Sequence, residues 1–333
     1  MKKAITTLSM LLIIISAAVT AVGCQSNSTT GGSGSKDLGA ITTGADGNLW
    51  FIEYMGNTLS SFYKATDKVT AYPIPGGNAG LADVTTSLDG SIWFTESTAN
   101  KFGRFSPTTT EFTEYNCPTA NAGLSSITSS SDGKIWFIES KANKIGSFAQ
   151  DTGNITEFQI PTENSGLTDI ISDADGNIWF TEFDANKIGM LNPETSEINE
   201  YDFPGDMVGL NSINTGPDDN IWFTESNTNR IGNFNISTNQ IAEYNIPIEG
   251  GLSSIIPGPN GNMWFIAANA NKIGDFSIET NEITQYDIPT EDAGLSGISA
   301  GLAGNIWFIE GKAHKLGQIS LANGTITEYT IAR

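Results

Sequence analysis

Acidic residues recur at one fixed place along this chain, and a base follows most of them at a fixed distance. Glu53, Glu96, Glu139, Glu182, Glu225 and Glu310 each end a short apolar segment built around Trp. Five residues further on stand Lys101, Lys144, Lys187, Arg230 and Lys315; Glu53 has Thr58 there instead, and Lys272 follows Ala267 rather than an acid. Carboxylates gathered at one mouth could hold a cation or polarise a ligand. At about 8 Å and an effective dielectric near 20, each neighbouring pair repels by roughly 2 kcal/mol, so positive charge has to come from somewhere. Two readings follow: an ion pair within each repeat, or a carboxylate-lined pocket in which Glu53 is the odd member.

His314 is the one His and the best general base on offer. It occupies a turn position where the other repeats carry Asn57, Asn100, Asn143, Asn186, Asn229 and Asn271. It is either that base or a residue of a surface turn; Glu53 and His314 are therefore the catalytic candidates. Cys117 falls in an outer segment with no His beside it, which argues against a Cys nucleophile. With Cys24 committed elsewhere, one thiol remains, which excludes a disulfide framework and a Cys-based zinc site. Ser125, Ser253 and Ser296 begin inner segments but have no base nearby. There is no Gly-rich phosphate loop, no HExxH and no EF-hand loop.

These residues are positioned by a repeat. The seven Trp lie 43, 43, 43, 43, 42 and 43 residues apart, at Trp50, Trp93, Trp136, Trp179, Trp222, Trp264 and Trp307. A period near 40 marks a repeat architecture. Each copy offers four short segments, in the second copy Ala82–Thr86, Ser91–Glu96, Lys101–Phe105 and Glu111–Asn116, with Asp89-Gly90 as a hairpin turn. Adjacent Trp and Phe place large apolar groups on both faces of each sheet, so every sheet has to be covered twice, as in a ring. The prediction is a seven-bladed β-propeller of four antiparallel strands per blade over 37–333. Its blades are 37–79, 80–122, 123–165, 166–208, 209–250, 251–293 and 294–333. The last copy carries its own fourth strand, so closure needs no strand shared between the termini. On this plan the Glu residues, the turns after them and the inner-strand starts share one face. The rim there varies: Gly39, Ala82, Ser125, Thr168, Asn211, Ser253 and Ser296.

Ahead of the repeats, 1–23 combines a short basic start with the apolar run Leu8 to Val22 and is expected to be a secretory signal. It ends Ala21-Val22-Gly23-Cys24, which resembles the bacterial lipobox and makes Cys24 the expected lipidation site. The Ser/Gly-rich stretch that completes 24–36 is a tether of ~20 Å. The expected location is extracytoplasmic, on the cell membrane through the lipid on Cys24. With a net charge of −21 the body repels phosphate backbones, so nucleic acid is not an expected partner. A monomer with an extracellular ligand or protein partner is expected.

The strands 175–182, the turn 185–189 (Ala-Asn-Lys-Ile-Gly) and the stretch 155–161 (Ile-Thr-Glu-Phe-Gln-Ile-Pro) resemble the virginiamycin B lyase, or streptogramin lyase, family across 37–333. The resemblance implies a Mg²⁺-dependent carbon–oxygen lyase that linearises a cyclic depsipeptide antibiotic. It also implies a His base at the start of the last innermost strand, a second His one blade earlier, and Glu residues around the metal. Those two positions here are Ser253 and Ser296, the preceding Glu falls on Gly294, and Glu310 is the remaining match to a metal ligand. Losing a general base forfeits about 10²–10⁴ in rate. The sequence therefore reads as a ligand- or partner-binding propeller whose mouth is formed by Glu53, Glu96, Glu139, Glu182, Glu225, Ser253, Ser296 and Glu310. A metal-dependent lyase or lactonase-like hydrolase, admitting Mg²⁺ or Ca²⁺, is the alternative.

Overall fold

The computed structural model describes residues 38–331 apart from Met55, Asp206 and Leu302. The expected signal segment and Cys24 lie outside the described residues. Seven four-stranded sheets follow one another, each built from four consecutive antiparallel strands. In blade two the strands are Leu81–Thr86, Ile92–Glu96, Lys101–Ser106 and Glu111–Asn116. Among the described residues the only helix is one 3₁₀ turn, Ala268–Ala270, after the second strand of blade six.

Turn chemistry sets the strand lengths. The inner hairpins turn on residues with positive φ: Gly90 at 78°, Gly133 at 82°, Gly176 at 85°, and Asp219 at 59° where Gly is replaced. Asp tolerates this left-handed conformation better than most residues. Trp indoles fasten the same turns, Trp179 Nε1 donating to Asp173 at 2.8 Å and Trp136 Nε1 to Ser130 at 3.0 Å. The turn between second and third strands ends on Asn in the left-handed region, as at Asn100 (φ 57°) and Asn186 (φ 57°). Its side chain then clamps the chain leaving the blade: Asn186 Nδ2 donates to the carbonyls of Phe203 and Gly205, and Oδ1 accepts from the Val208 amide.

The core is seven seams rather than one centre. Each seam packs the Trp of one blade against the Phe of the next: Trp50 with Phe94, Trp93 with Phe137, Trp136 with Phe180, and so on. Trp307 meets Phe51 and closes the ring. Burying a side chain of this size stabilises by about 1.5–3 kcal/mol. The Phe ring needs room on the neighbouring strand, which Gly supplies: a Cβ on Gly103 would sit 2.2 Å from Phe94 Cζ, and one on Gly189 2.1 Å from Phe180 Cζ. At the closing seam Thr43 Oγ1 bonds the Ala300 carbonyl at 2.8 Å and Ser299 Oγ at 3.0 Å. Among the described residues no strand is exchanged between the ends.

Candidate functional site

Each inner strand carries a register shift just after its first residue, between Leu81 and Val84 in blade two and between Leu167 and Ile170 in blade four. A bulge of this kind re-aims side chains. Here it places the two skipped residues where neighbouring inner strands meet. A belt of alternating Asp and Ser results. Ser126 Oγ lies 3.0 Å from Asp83 Oδ2 and 2.8 Å from Asp169 Oδ1, and Ser212 Oγ donates to Asp169 Oδ2 at 2.9 Å. Backbone amides of Ile127 and Ile213 complete it, each 3.0 Å from Asp83 Oδ2 and Asp169 Oδ2 respectively. Burial pushes the Asp83 carboxyl up to about 7, helped by the Asp169 charge. The belt staples blades two to five together. The sequence reading missed Asp83 and Asp169. Their signal is a short acid in the third position of an inner strand, matched by Ser in the next blade.

The rim hydroxyls fall into two states. Ser296 Oγ is used on the backbone, 3.2 Å from the Leu38 carbonyl and 3.3 Å from that of Gly39. Ser125 Oγ and Ser253 Oγ are buried without a hydrogen-bond partner.

The repeated carboxylates do not line an open mouth. Glu53 is buried, and Glu96, Glu139, Glu182, Glu225 and Glu310 are at most 1% exposed. Alternation explains it: Glu stands two residues after Phe on one strand and so shares its face, and that face is packed into the seam with the preceding blade. Glu310 accordingly has Thr290 of blade six, together with Glu328 and Lys315, as its electrostatic neighbours.

The expected ion pair within each repeat is also corrected. The bases pair with an acid 13 residues later, on the outer strand: Lys101–Glu114 at 2.9 Å, Lys144–Glu157 at 2.8 Å, Arg230–Glu243 at 2.8 Å and Lys315–Glu328 at 2.7 Å. Lys187 divides itself between Glu200 at 3.4 Å and Asp202 at 3.3 Å. Of the second-strand acids, Glu225 alone comes as near as 4.0 Å to its base. Three of the outer acids, Glu157, Glu200 and Glu328, are also held by a Thr of the preceding blade. Thr119 gives its amide and hydroxyl to Glu157, and Thr290 does the same for Glu328. Burial raises Glu157 and Glu328, but bonds from Lys144 or Lys315 and from these Thr residues outweigh it and hold both below the usual carboxylate range.

The second-strand acids are left without such support. Both oxygens of Glu139, Glu182 and Glu310 lack a hydrogen-bond partner, as does one oxygen each of Glu96 and Glu225. Burial, reinforced by the outer-strand acid, pushes Glu182 up to about 8 and Glu96, Glu139 and Glu310 to about 7. Burial likewise takes Glu225 to about 7, against a hydrogen bond from Thr228. Glu53 does have a hydrogen-bond partner: Ser60 Oγ donates to its Oε1 at 2.9 Å.

His314 is buried, not a surface turn residue, and has the left-handed φ of 54° that Asn has in the other blades. Neither ring nitrogen has a partner among the described residues. Its carbonyl still receives the Ile331 amide at 2.9 Å, as Asn186 receives Phe203.

The carboxylates do not fit a Mg²⁺ held at the mouth. Glu310 is enclosed in a seam, Gly294 offers no ligand atom, and Ser296 is engaged with backbone. No reaction step is derived through such an ion.

A ring of seven such blades, with these seams, defines a β-propeller of the streptogramin lyase type. The virginiamycin B lyase family profile matches residues 19–209 and 195–333. The chain belongs to the virginiamycin B lyase family. Among solved structures it is similar to a streptogramin B lyase, with 32% identity, TM-score 0.80, and coverage of 85% of this chain and 93% of that one. A selenomethionine-substituted virginiamycin B lyase from Staphylococcus aureus matches at 33% identity and TM-score 0.79, covering 86% of this chain and 95% of that one. A catalytically inactive His-to-Ala variant of the Staphylococcus aureus enzyme, solved with quinupristin, matches at 32% identity and TM-score 0.78, covering 89% and 96%. No curated protein matches the chain.

Proposed function

We propose that this chain is a binding propeller, which recognises a ligand or protein partner across its mouth and does not open a streptogramin ring. The observation that carries the proposal is at the inner strands of the last two blades. Where the family resemblance calls for imidazole, the chain has Ser253 and Ser296, and the Ser296 hydroxyl is occupied by two backbone carbonyls. A Ser hydroxyl does not take up a proton at neutral pH as imidazole does. The one imidazole, His314, is buried in a turn of the last blade. The inactive His-to-Ala relative carries quinupristin in its structure, so a propeller of this family can hold a ligand without turning it over.

Quinupristin incubated with the protein, with and without Mg²⁺, tests this. The products are separated by chromatography, because eliminative ring opening leaves the mass unchanged. Unaltered antibiotic is expected, and a ring-opened product forming at a catalysed rate overturns the proposal.

The same proposal places the propeller outside the cytoplasm, tethered by lipid on Cys24. Support comes from the lipobox-like Ala21-Val22-Gly23-Cys24 and the polar stretch behind it. Cys24→Ser should move the protein from the membrane fraction to the soluble one; unchanged membrane association counts against a lipid on that residue.

A further inference from the structure

At six of the seven seams the residue following the outer strand, or its near equivalent, is a buried hydrocarbon: Ile74, Ile160, Phe203, Ile246, Ile288 and Ile331. Between blades two and three it is Cys117, 6% exposed. Its neighbours across the seam are Glu139 from the second strand of blade three and Glu157 from the outer strand. One ligand atom from each of the three lies within 4.8 Å of the others. Glu139 is 0% exposed and neither of its oxygens has a partner. A buried carboxyl with nothing to bond, aimed at a thiol and a second carboxylate, is an arrangement the other seams do not reproduce.

We propose that Cys117, Glu139 and Glu157 form a binding site for one thiophilic divalent cation, Zn²⁺ or Cd²⁺, in the seam between blades two and three. The thiol count alone speaks against a zinc site built on Cys, and this proposal revises that expectation, because the fold supplies two carboxylates beside the single thiol. Sulfur with carboxylate oxygen suits a borderline-soft ion rather than Mg²⁺ or Ca²⁺. Bond lengths of about 2.3 Å to sulfur and about 2.0–2.2 Å to oxygen require the three atoms to draw somewhat closer than they lie now. Glu139 can make that move because it has no partner at hydrogen-bond distance, and the polar groups that act on it, Thr119 and Cys117, belong to the site itself.

The charges close. Binding releases the thiol proton of Cys117, and that of Glu139 where it is protonated, to solvent. A thiolate and two carboxylates then leave the ion with one net negative charge. Lys144, 2.8 Å from Glu157 Oε2 and 2.9 Å from Thr119 Oγ1, neutralises it. Thr119 also anchors Glu157 Oε1, through its amide at 3.0 Å and its hydroxyl at 2.9 Å. The site thus has one ligand already oriented, one unrestrained and one soft.

The test uses the full chain carrying Cys24→Ser, so that Cys117 is the one thiol, reduced and stripped with a chelator. Titration with Cd²⁺ should produce the ultraviolet charge-transfer absorption of a cadmium thiolate, saturating at one equivalent, and Zn²⁺ should raise the thermal midpoint. Cys117→Ile, which installs the residue of the other seams and keeps the packing, should abolish both signals. Glu139→Gln should weaken Cd²⁺ binding at least tenfold with the thiol intact. No absorption in the parent chain, a Zn²⁺ shift surviving in Cys117→Ile, or unchanged affinity in Glu139→Gln overturns the site.

Discussion

Blades one and four end their second strands with the same residue and treat it in opposite ways. Glu53 receives the Ser60 hydroxyl at 2.9 Å. Glu182, at the matching position, has no partner at hydrogen-bond distance on either oxygen, and burial pushes it up to about 8 against a lowering influence of the Ser165 hydroxyl. The difference lies in one residue of the third strand. Blade one has Ser60 where blade four has Gly189, and a Cβ on Gly189 would sit 2.1 Å from the Phe180 ring. The repeat therefore fixes where the carboxyl lies, while one side chain on the facing strand decides whether the carboxyl receives a hydrogen bond.

The largest consequence is in the dependence of stability on pH. Burial raises five second-strand carboxyls to about 7 or 8 in the folded protein, from the ordinary glutamate value of 4.5. The folded state keeps protons that the unfolded chain gives up, so these groups cost nothing below about pH 4.5 and erode stability as pH rises from there to about 8. Thermal midpoints measured between pH 5 and pH 9 should fall across that window and then level. A midpoint that climbs from pH 5 to pH 8 would show these carboxyls ionised in the folded state.

Glu182→Gln sharpens the comparison by supplying a permanently neutral group. It should stabilise the protein by on the order of 3 kcal/mol at pH 9 and leave it nearly unchanged at pH 5. Denaturant unfolding at both pH values checks this, and equal effects at the two would remove titration from the explanation. Gly189→Ser tries to convert blade four into blade one. The Phe180 ring should refuse the Cβ, costing about 1–3 kcal/mol through overpacking despite the new hydroxyl. The smallest effect expected is from Ser60→Ala, which withdraws the donor from Glu53 and should cost about 1 kcal/mol in denaturant unfolding. Unchanged stability in Ser60→Ala would show that this hydrogen bond does not support the fold.

The propeller itself was legible because its signals are local and repeated: Trp at a near-constant spacing, Asp-Gly turns, and a Phe beside every Trp. The blade two strands moved by only a residue or so from their expected limits. The site was less legible for two physical reasons. First, a Glu at the end of a strand carries no local mark of burial, although alternation two residues after Phe puts Glu139 and its counterparts in the seam. Secondly, spacing along the chain suggests Glu96 for Lys101, whereas the better partner is diagonal on the next strand, Glu114. His314 has the sequence context of a solvated turn residue, but it inherits the clamp position that Asn186 and its equivalents hold half-buried, and its own ring is buried there. The inner-strand bulges, which bring Asp83 to Ser126, have no composition signal of their own.

The central claim is that the repeated carboxyls are neutral groups shut between blades, not ionised ligands around a mouth. Infrared spectra of the metal-free protein at pH 6 and pH 9 test it most directly, because a protonated carboxyl has its own carbonyl absorption. A protonated-carboxyl band at pH 6 that disappears by pH 9 and is diminished in Glu182→Gln is the predicted result; a spectrum at pH 6 with no such band contradicts it.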